Sequence, residues 1–412
     1  MNSSKFIYRC TDCGKEYTPN GVMYLCPTCS KENTSTNPPK GVLKVVYDYH
    51  SLGKKLSGFY ELRQNDFISL LPIENTDSLP VLRVGKTPLY SFDKLEGKPL
   101  PFQLHLKDDS QNPTFSFKDR ASALVSAYAK ENRLNTIVAA STGNAGSSLA
   151  GMCAAQAQKA IIMVPETAPL AKLTQIIMYG ATIVPVKGTY DEAFDLSVKA
   201  TEEFGWYNRN TAFNPFTIEG KKTVSFELIE QLKFKTPHRI FVPVGDGVII
   251  SGVYKGFEDL LLLNLIDRMP TIVAVQSKGS DNLVRNINQK EFKIVPSTTM
   301  ADSISVDIPR NFYMAQQFIQ KYNGEILIVT DEEIMNASAV LSRNTGIFSE
   351  PAATTAFAGM LSYQKSGKII DGSNNVVLLT GSGLKDLKSV SSMLKIPESI
   401  HPSIDNLKKL IS

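Results

Sequence analysis

Residues 136–157 read TIVAASTGNAGSSLAGMCAAQA: a short apolar run, a turn of small residues, then an Ala-rich helical segment. Thr136 and the four apolar residues after it are too few for a helix and suit a strand buried on both faces. The same rhythm continues on either side. Upstream, DRASALVSAYAKENR (119–133) puts Ala121, Leu124, Val125 and Tyr128 on one helical face. Downstream come AIIMV (160–164), a helix over LAKLTQIIMYG, TIVPV (182–186) and a helix from Asp191. A second set follows: RIFVPV (239–244), TIVAV (271–275), EILIV (325–329) and NVVLL (375–379). Thr330-Asp-Glu-Glu333 forms a capping box that opens the helix after EILIV. Buried strands separated by amphipathic helices predict parallel sheets covered on both sides. The expected fold class is α/β, with two doubly wound α/β domains and a cleft between them.

The 412 residues exceed what one compact core covers, which agrees with more than one domain. With 42% hydrophobic and 20% charged residues, the composition is that of an ordinary globular protein. The net charge is +4 and no run of five or six like charges occurs, so neither a nucleic-acid groove nor a membrane patch is expected. The start, MNSSKFIYRC, has no apolar signal core, and no stretch approaches the length of a membrane span. The expected location is the cytoplasm.

Cys10-Thr-Asp-Cys13 and Cys26-Pro-Thr-Cys29 are two CxxC knuckles with twelve residues between them. Each turns two thiolates toward one point, and together they supply a tetrahedral set for Zn²⁺. Gly14 and Pro27 suit tight knuckle turns. Four thiolates leave no position for water, so the zinc would be structural. Two disulfides would instead require an oxidising compartment. Residues 1–40 are thus expected to form a small zinc-ribbon module ending in a polar linker, KENTSTNPPK (31–40). Such a ribbon raises a second class of function, a nucleic-acid or protein-binding module. Its mixed charges (Lys5, Arg9 and Lys15 against Asp12 and Glu16) speak against nucleic acid. The fifth cysteine, Cys153, sits in the Ala-rich segment and reads as a small buried hydrophobe.

Three loops follow strands at their carboxyl ends, where ligands gather in such sheets. They are STGN (141–144), GDGVIISG (245–252) and TGSGLKD (380–386). Successive backbone N–H groups in these turns, backed by a helix N-terminus, make anion sites. None matches GxxxxGK[ST] or GxGxxG, so a nucleoside triphosphate or dinucleotide has little support. PTFSFKDR (113–120) places Lys118 between an aromatic residue and an Asp-Arg pair.

Taken in order, these motifs resemble the threonine synthase family, within the pyridoxal 5′-phosphate (PLP) enzymes of the tryptophan-synthase-β fold type, fold type II. The resemblance rests on the cysteine ribbon leading into YDY (47–49), GKTPLY (85–90), NPTFSFKDR (112–120), STGNAGSS (141–148) and NPFTIEGKKT (214–223). It continues through PVGDGVIISGVYKGF (243–257), GIFSEPAATTA (346–356) and LTGSGLKD (379–386). It implies a large PLP-binding domain from 41–118 and 215–412, and a small domain from 119–214. Lys118 would form the Schiff base with PLP and shuttle protons at the substrate's Cα, once burial and nearby positive charge depress its pKa. Gly245, Asp246, Gly247, Val248 and Ile249 would hold the cofactor phosphate. Asn144 would bond the pyridine 3′-oxygen, and Thr380 would face the ring nitrogen. Ser141 and Thr142 would take the substrate carboxylate.

The implied reaction converts O-phospho-L-homoserine and water to L-threonine and phosphate by γ-elimination and β-addition. It needs a second anion site for the leaving phosphate, and here the chain departs from the family. The usual serine two before Asn-Pro is Ala212, and the usual arginine two after the Pro is Thr217. The histidine of TGHGLKD is Ser382. Cations that could substitute are Arg310, Lys172, and Lys221 or Lys222. Arg310 lies in SISVDIPRN, where the family puts a loop at the active-site mouth, although a surface ion pair would account for it equally. These departures keep two other readings open within the fold: a β-replacement enzyme such as cysteate synthase, acting on O-phosphoserine and sulfite, and an amino-acid dehydratase. A non-catalytic zinc-ribbon binding protein is the reading outside enzymology, and Lys118 and the phosphate turn speak against it. The expected partner is a small phosphorylated amino acid, with a homodimer implied by analogy to the fold type.

Overall fold

The computed structural model describes residues 4–20, 24–391, 394 and 396–411, which build three sheets. The N-terminal sheet joins β1 (Phe6–Cys10), β2 (Glu16–Tyr17) and β3 (Leu43–Tyr47), antiparallel, in the order β2-β1-β3. The segment after the second knuckle is a closed loop: the Asn33 side chain accepts from the Lys40 N–H (2.7 Å) and donates to the Lys40 carbonyl (3.1 Å). That closure returns the chain to pair β3 with β1.

After β4 (Leu89–Leu95) and β5 (Lys98–Asp108), the expected alternation appears with its strands in the expected places. The smaller sheet contains β6 (Thr136–Ala140), β7 (Lys159–Pro165), β8 (Thr182–Val186) and β9 (Tyr207–Asn208), all parallel, in the order β8-β7-β6-β9. The larger contains β10 (Arg239–Pro243), β11 (Thr271–Ser277), β12 (Glu325–Val329) and β13 (Asn374–Leu379). Its order is β12-β11-β10-β13-β5-β4, parallel except for the β4–β5 hairpin at one edge. The central strands β10, β11 and β13 are buried almost throughout, as their unbroken apolar runs require, whereas the edge strand β12 alternates. The Thr330–Glu333 capping box forms as expected, opening the helix Asp331–Thr345. Cys153 is buried among apolar residues, and burial pushes its thiol up to about 12. No helix among the described residues is long and apolar enough to cross a membrane.

The N-terminal sheet is fastened to the rest by rings and by charge. Phe6 and Tyr8 pack on Phe216, with centroids 5.7 and 6.0 Å away. Beneath them lies a buried group of Glu219, Lys222, Lys255 and Asp259. Tyr47 donates to Glu219 and Tyr49 to Asp259, each at 2.7 Å. The two tyrosines of YDY thus satisfy carboxylates that would otherwise be costly to bury.

Candidate active site

Lys118 is the first residue of the helix Lys118–Glu131, and its two neighbours fix it there. The Asp119 carboxylate accepts the backbone N–H of Thr114 (2.7 Å), which folds the PTFSF loop back onto the helix start. Arg120 is buried between Asp109, at the end of β5, and Glu227, with Nε–Oδ2 and Nη1–Oε1 distances of 2.6 Å. The Phe117 N–H donates to the Thr380 carbonyl (2.8 Å), tying the loop to the end of β13. The Asp-Arg pair therefore positions the lysine. Lys118 forms no hydrogen bond or ion pair with any described residue. Burial lowers its pKa and Arg209 lowers it further, against Glu350 and Asp246.

The two other loops meet it from opposite sides. Ser141 to Gly143 connect β6 to the helix Asn144–Ala155, and the Gly143 N–H donates to Ser141 Oγ (3.2 Å). Gly245 to Gly247 connect β10 to the fifteen-residue helix Val248–Leu262. A Cβ on Gly245 would lie 2.9 Å from Ile304 Cα, and Gly247 has φ +84°. Ile304 packs against Gly245, and Ala315 and Leu283 against Gly247, so a side chain at either position would clash. Lys118, Ser141, Thr142, Asn144, Gly245, Asp246, Gly247, Val248, Ile249 and Arg310 all line one cavity of about 430 Å³. Thr380 is the expected site residue that does not line it; it is buried beside the cavity at the end of β13.

Three of the four expected cations are already neutralised. Arg310 borders the mouth, pairs with Asp191 and lies on the Phe194 ring, 3.8 Å from its centroid. Lys172 pairs with Asp302 (2.8 Å), and Lys222 with Asp259 (2.7 Å) and Glu219. Of the four, Lys221 alone lines the cavity with an Nζ that has no partner.

Two charged groups behind the cavity lining, one bonded to Asn144 and one to Thr211, were not anticipated from the sequence. Glu350 caps the helix Pro351–Lys365 and accepts from the Asn144 amide at 3.0 and 3.1 Å. Burial raises its carboxyl pKa, with Lys118 opposing. It stands inside GIFSEPAATTA, where a carboxylate before proline reads as a helix cap. Arg209 follows β9 and is fully buried. Its place at the carboxyl end of a parallel strand was the available signal.

Outside this cavity, the sulfurs of Cys10, Cys13, Cys26 and Cys29 all lie within 4.8 Å of one another. None is in a disulfide.

Residues 81–381 match the family described as "Pyridoxal-phosphate dependent enzyme", and the chain belongs to that family. It is 34% identical to the threonine synthase of Methanocaldococcus jannaschii, over 98% of this chain and 99% of that one. It is 33% identical to the threonine synthase of Methanosarcina acetivorans, over 98% of each. Among solved structures, threonine deaminase isoform 2 from Solanum lycopersicum superposes with a TM-score of 0.67 at 24% identity, covering 82% of this chain and 94% of that one, a likeness of fold alone. The protein is thus a PLP-dependent, threonine-synthase-like lyase of fold type II.

Proposed function

We propose that the enzyme converts O-phospho-L-homoserine and water to L-threonine and phosphate. The observation that carries this reading is the unpartnered Lys118 ammonium in a cavity shared by two glycine-bearing turns. The residues present fit PLP. The Gly245–Ile249 turn lines the cavity at a helix N-terminus and would hold its phosphate through backbone N–H groups, and Lys118 would hold its aldehyde carbon. Asn144 would meet the ring oxygen and Thr380 the ring nitrogen. When bound, PLP supplies the electron sink that makes the substrate's α- and β-hydrogens acidic.

The protein's own groups do the rest. Lys118, with its pKa lowered by burial, takes and returns the proton at the substrate's Cα. Ser141 and Thr142, ahead of the helix Asn144–Ala155, orient the carboxylate so that this hydrogen faces Nζ. Glu350 holds the Asn144 amide in place. In the N-terminal module the four thiolates would hold a structural Zn²⁺. The Cys10–Cys29 and Cys13–Cys26 sulfur pairs are each 3.8 Å apart. That matches the edge of a tetrahedron with Zn–S bonds of about 2.3 Å.

The test is to give PLP-loaded protein O-phosphohomoserine, O-phosphoserine with and without sulfite, and threonine, and to assay phosphate and amino-acid products. Phosphate and threonine are expected from O-phosphohomoserine, and neither from a folded Lys118→Ala variant. No phosphate from O-phosphohomoserine overturns the reading. Cysteate formed from O-phosphoserine and sulfite, or ammonia released from threonine, would instead select β-replacement or dehydration.

A further inference from the structure

We infer that Arg209 and Lys221 form the site that grips the substrate's phosphate, supplying the charge that positions 212 and 217 lack. The inference rests on the proposed reaction, in which a phosphate leaves inside the cavity. Ala212 has no donor to offer, and the Thr217 hydroxyl is committed to the Asn214 carbonyl at 2.8 Å. With Arg310, Lys172 and Lys222 each held by a carboxylate, Lys221 is the cavity-lining cation beside Lys118 that has no counter-charge, and Arg209 is its charged neighbour behind Thr211.

Both are fully buried, and both carry an orphan donor. Lys221 Nζ has no hydrogen-bond partner. Arg209 donates through Nε to Ser122 Oγ (3.1 Å) and through Nη1 to Thr211 Oγ1 (3.0 Å), but Nη2 has no partner. Neither forms an ion pair with a described carboxylate. Burial together with mutual repulsion and Lys118 drives the Lys221 pKa well down. Keeping Lys221 charged beside Arg209 without a counter-charge is costly, and an entering dianion removes that cost.

Their placement matches the missing ligands. Lys221 lies one helical turn beyond Thr217 on the helix Phe216–Lys221, so the two share a face. Arg209 lies three residues before Ala212, and its partner Thr211 lines the cavity. The cofactor's phosphate already has the Gly245–Ile249 turn and a long helix, so this second cationic pair answers to a second phosphate.

The experiment titrates PLP-loaded enzyme with inorganic phosphate, followed by calorimetry and by cofactor absorbance. In parallel, PLP affinity is measured on the apoenzyme. Lys221→Met should weaken phosphate binding about 10- to 100-fold, the loss of a charge-assisted bond. PLP affinity should hold, and Lys221→Arg should retain phosphate binding. Lys221→Met should also raise the Tm of phosphate-free protein, whereas loss of a purely structural lysine would lower it. Arg209→Lys, which keeps charge and burial but loses the fork, should weaken phosphate too. Unchanged phosphate affinity in both Lys221→Met and Arg209→Lys overturns the site. So does a Lys221→Met variant that loses PLP and keeps phosphate, which would assign the lysine to the cofactor. The titration involves no turnover: if phosphate binds through Lys221 but O-phosphohomoserine is not converted, the proposed reaction fails while the anion site stands.

Discussion

Replacing Arg120 by methionine should cost the fold several kcal/mol, and the size can be worked from its partners. The guanidinium reaches Asp109 with Nε (2.6 Å) and Nη2 (2.9 Å), and Glu227 with Nη1 (2.6 Å) and Nη2 (2.8 Å). Glu227 keeps a second cation, Lys107, at 2.6 Å, but Asp109 is left with the Thr87 hydroxyl and the Asn112 amide. Breaking one partner of a buried pair costs about 3–5 kcal/mol. The electrostatics give a similar figure. Burial alone would raise the Glu227 carboxyl, yet Arg120 and Lys107 outweigh it and hold it at about 2 instead of 4.5. That net difference, shared between Arg120 and Lys107, corresponds to about 3 kcal/mol. Because the folded pKa is depressed, this stability is fully present above pH 4.5 and is lost as pH falls toward 2. Urea unfolding followed by circular dichroism should show Arg120→Met weaker than wild type at pH 7, with the gap narrowing below pH 4.5. Arg120→Lys, which keeps the charge without the fork, should fall between them. PLP affinity should drop in parallel, since the same contacts hold the helix that begins at Lys118. A loss under about 1 kcal/mol at pH 7, or a gap that persists unchanged to pH 3, would refute the reasoning.

Gly247→Ala places a Cβ at φ +84° and 3.0 Å from the Ala315 methyl, so about 1–3 kcal/mol of strain falls on the phosphate turn. PLP titration of the apoenzyme should show at least about tenfold weaker binding. In the N-terminal module, metal analysis of purified protein should find one zinc per chain, lost in Cys13→Ser. Strong chelators should lower the Tm, and no metal with no response to chelation would remove zinc from the account.

What the sequence showed and what it hid divide along physical lines. Strands β6, β7, β10, β11 and β13 were legible because a parallel strand covered on both faces must be almost continuously apolar, as IVAA and VVLL are. The clustering of the four cysteines was legible because each CxxC knuckle turns two thiols toward one point. The β4–β5 hairpin was not. KPLPFQLHLKD carries two prolines and ends in Lys107 and Asp108, both buried in the structure, and prolines and charges argue against a strand. Lys107 is tolerable there because it donates to the Thr87 carbonyl and to Glu227 and Gln231, the last two on a helix more than a hundred residues away. Thr380 was placed correctly at the end of β13, but the detail that it holds Phe117 through its carbonyl is a fact of tertiary packing.

The adjacent lysines of EGKKT show the limit most sharply. Lys221 and Lys222 are the same residue type, one position apart, and both fully buried. Successive helical positions differ by about 100° in direction, so one turns into the cavity and the other turns toward the N-terminal sheet. Lys222 lies 4.4 Å from the Tyr47 ring centroid, with Asp259 beside it. Composition cannot separate a cation that neutralises a carboxylate from one that awaits an anion, because the difference lies in what the fold places opposite. At positions 212 and 217 the missing ligands were visible as an absence. Their replacement came from one turn further along one helix and from the end of a two-residue strand, places that only the folded chain brings to the same side of Lys118.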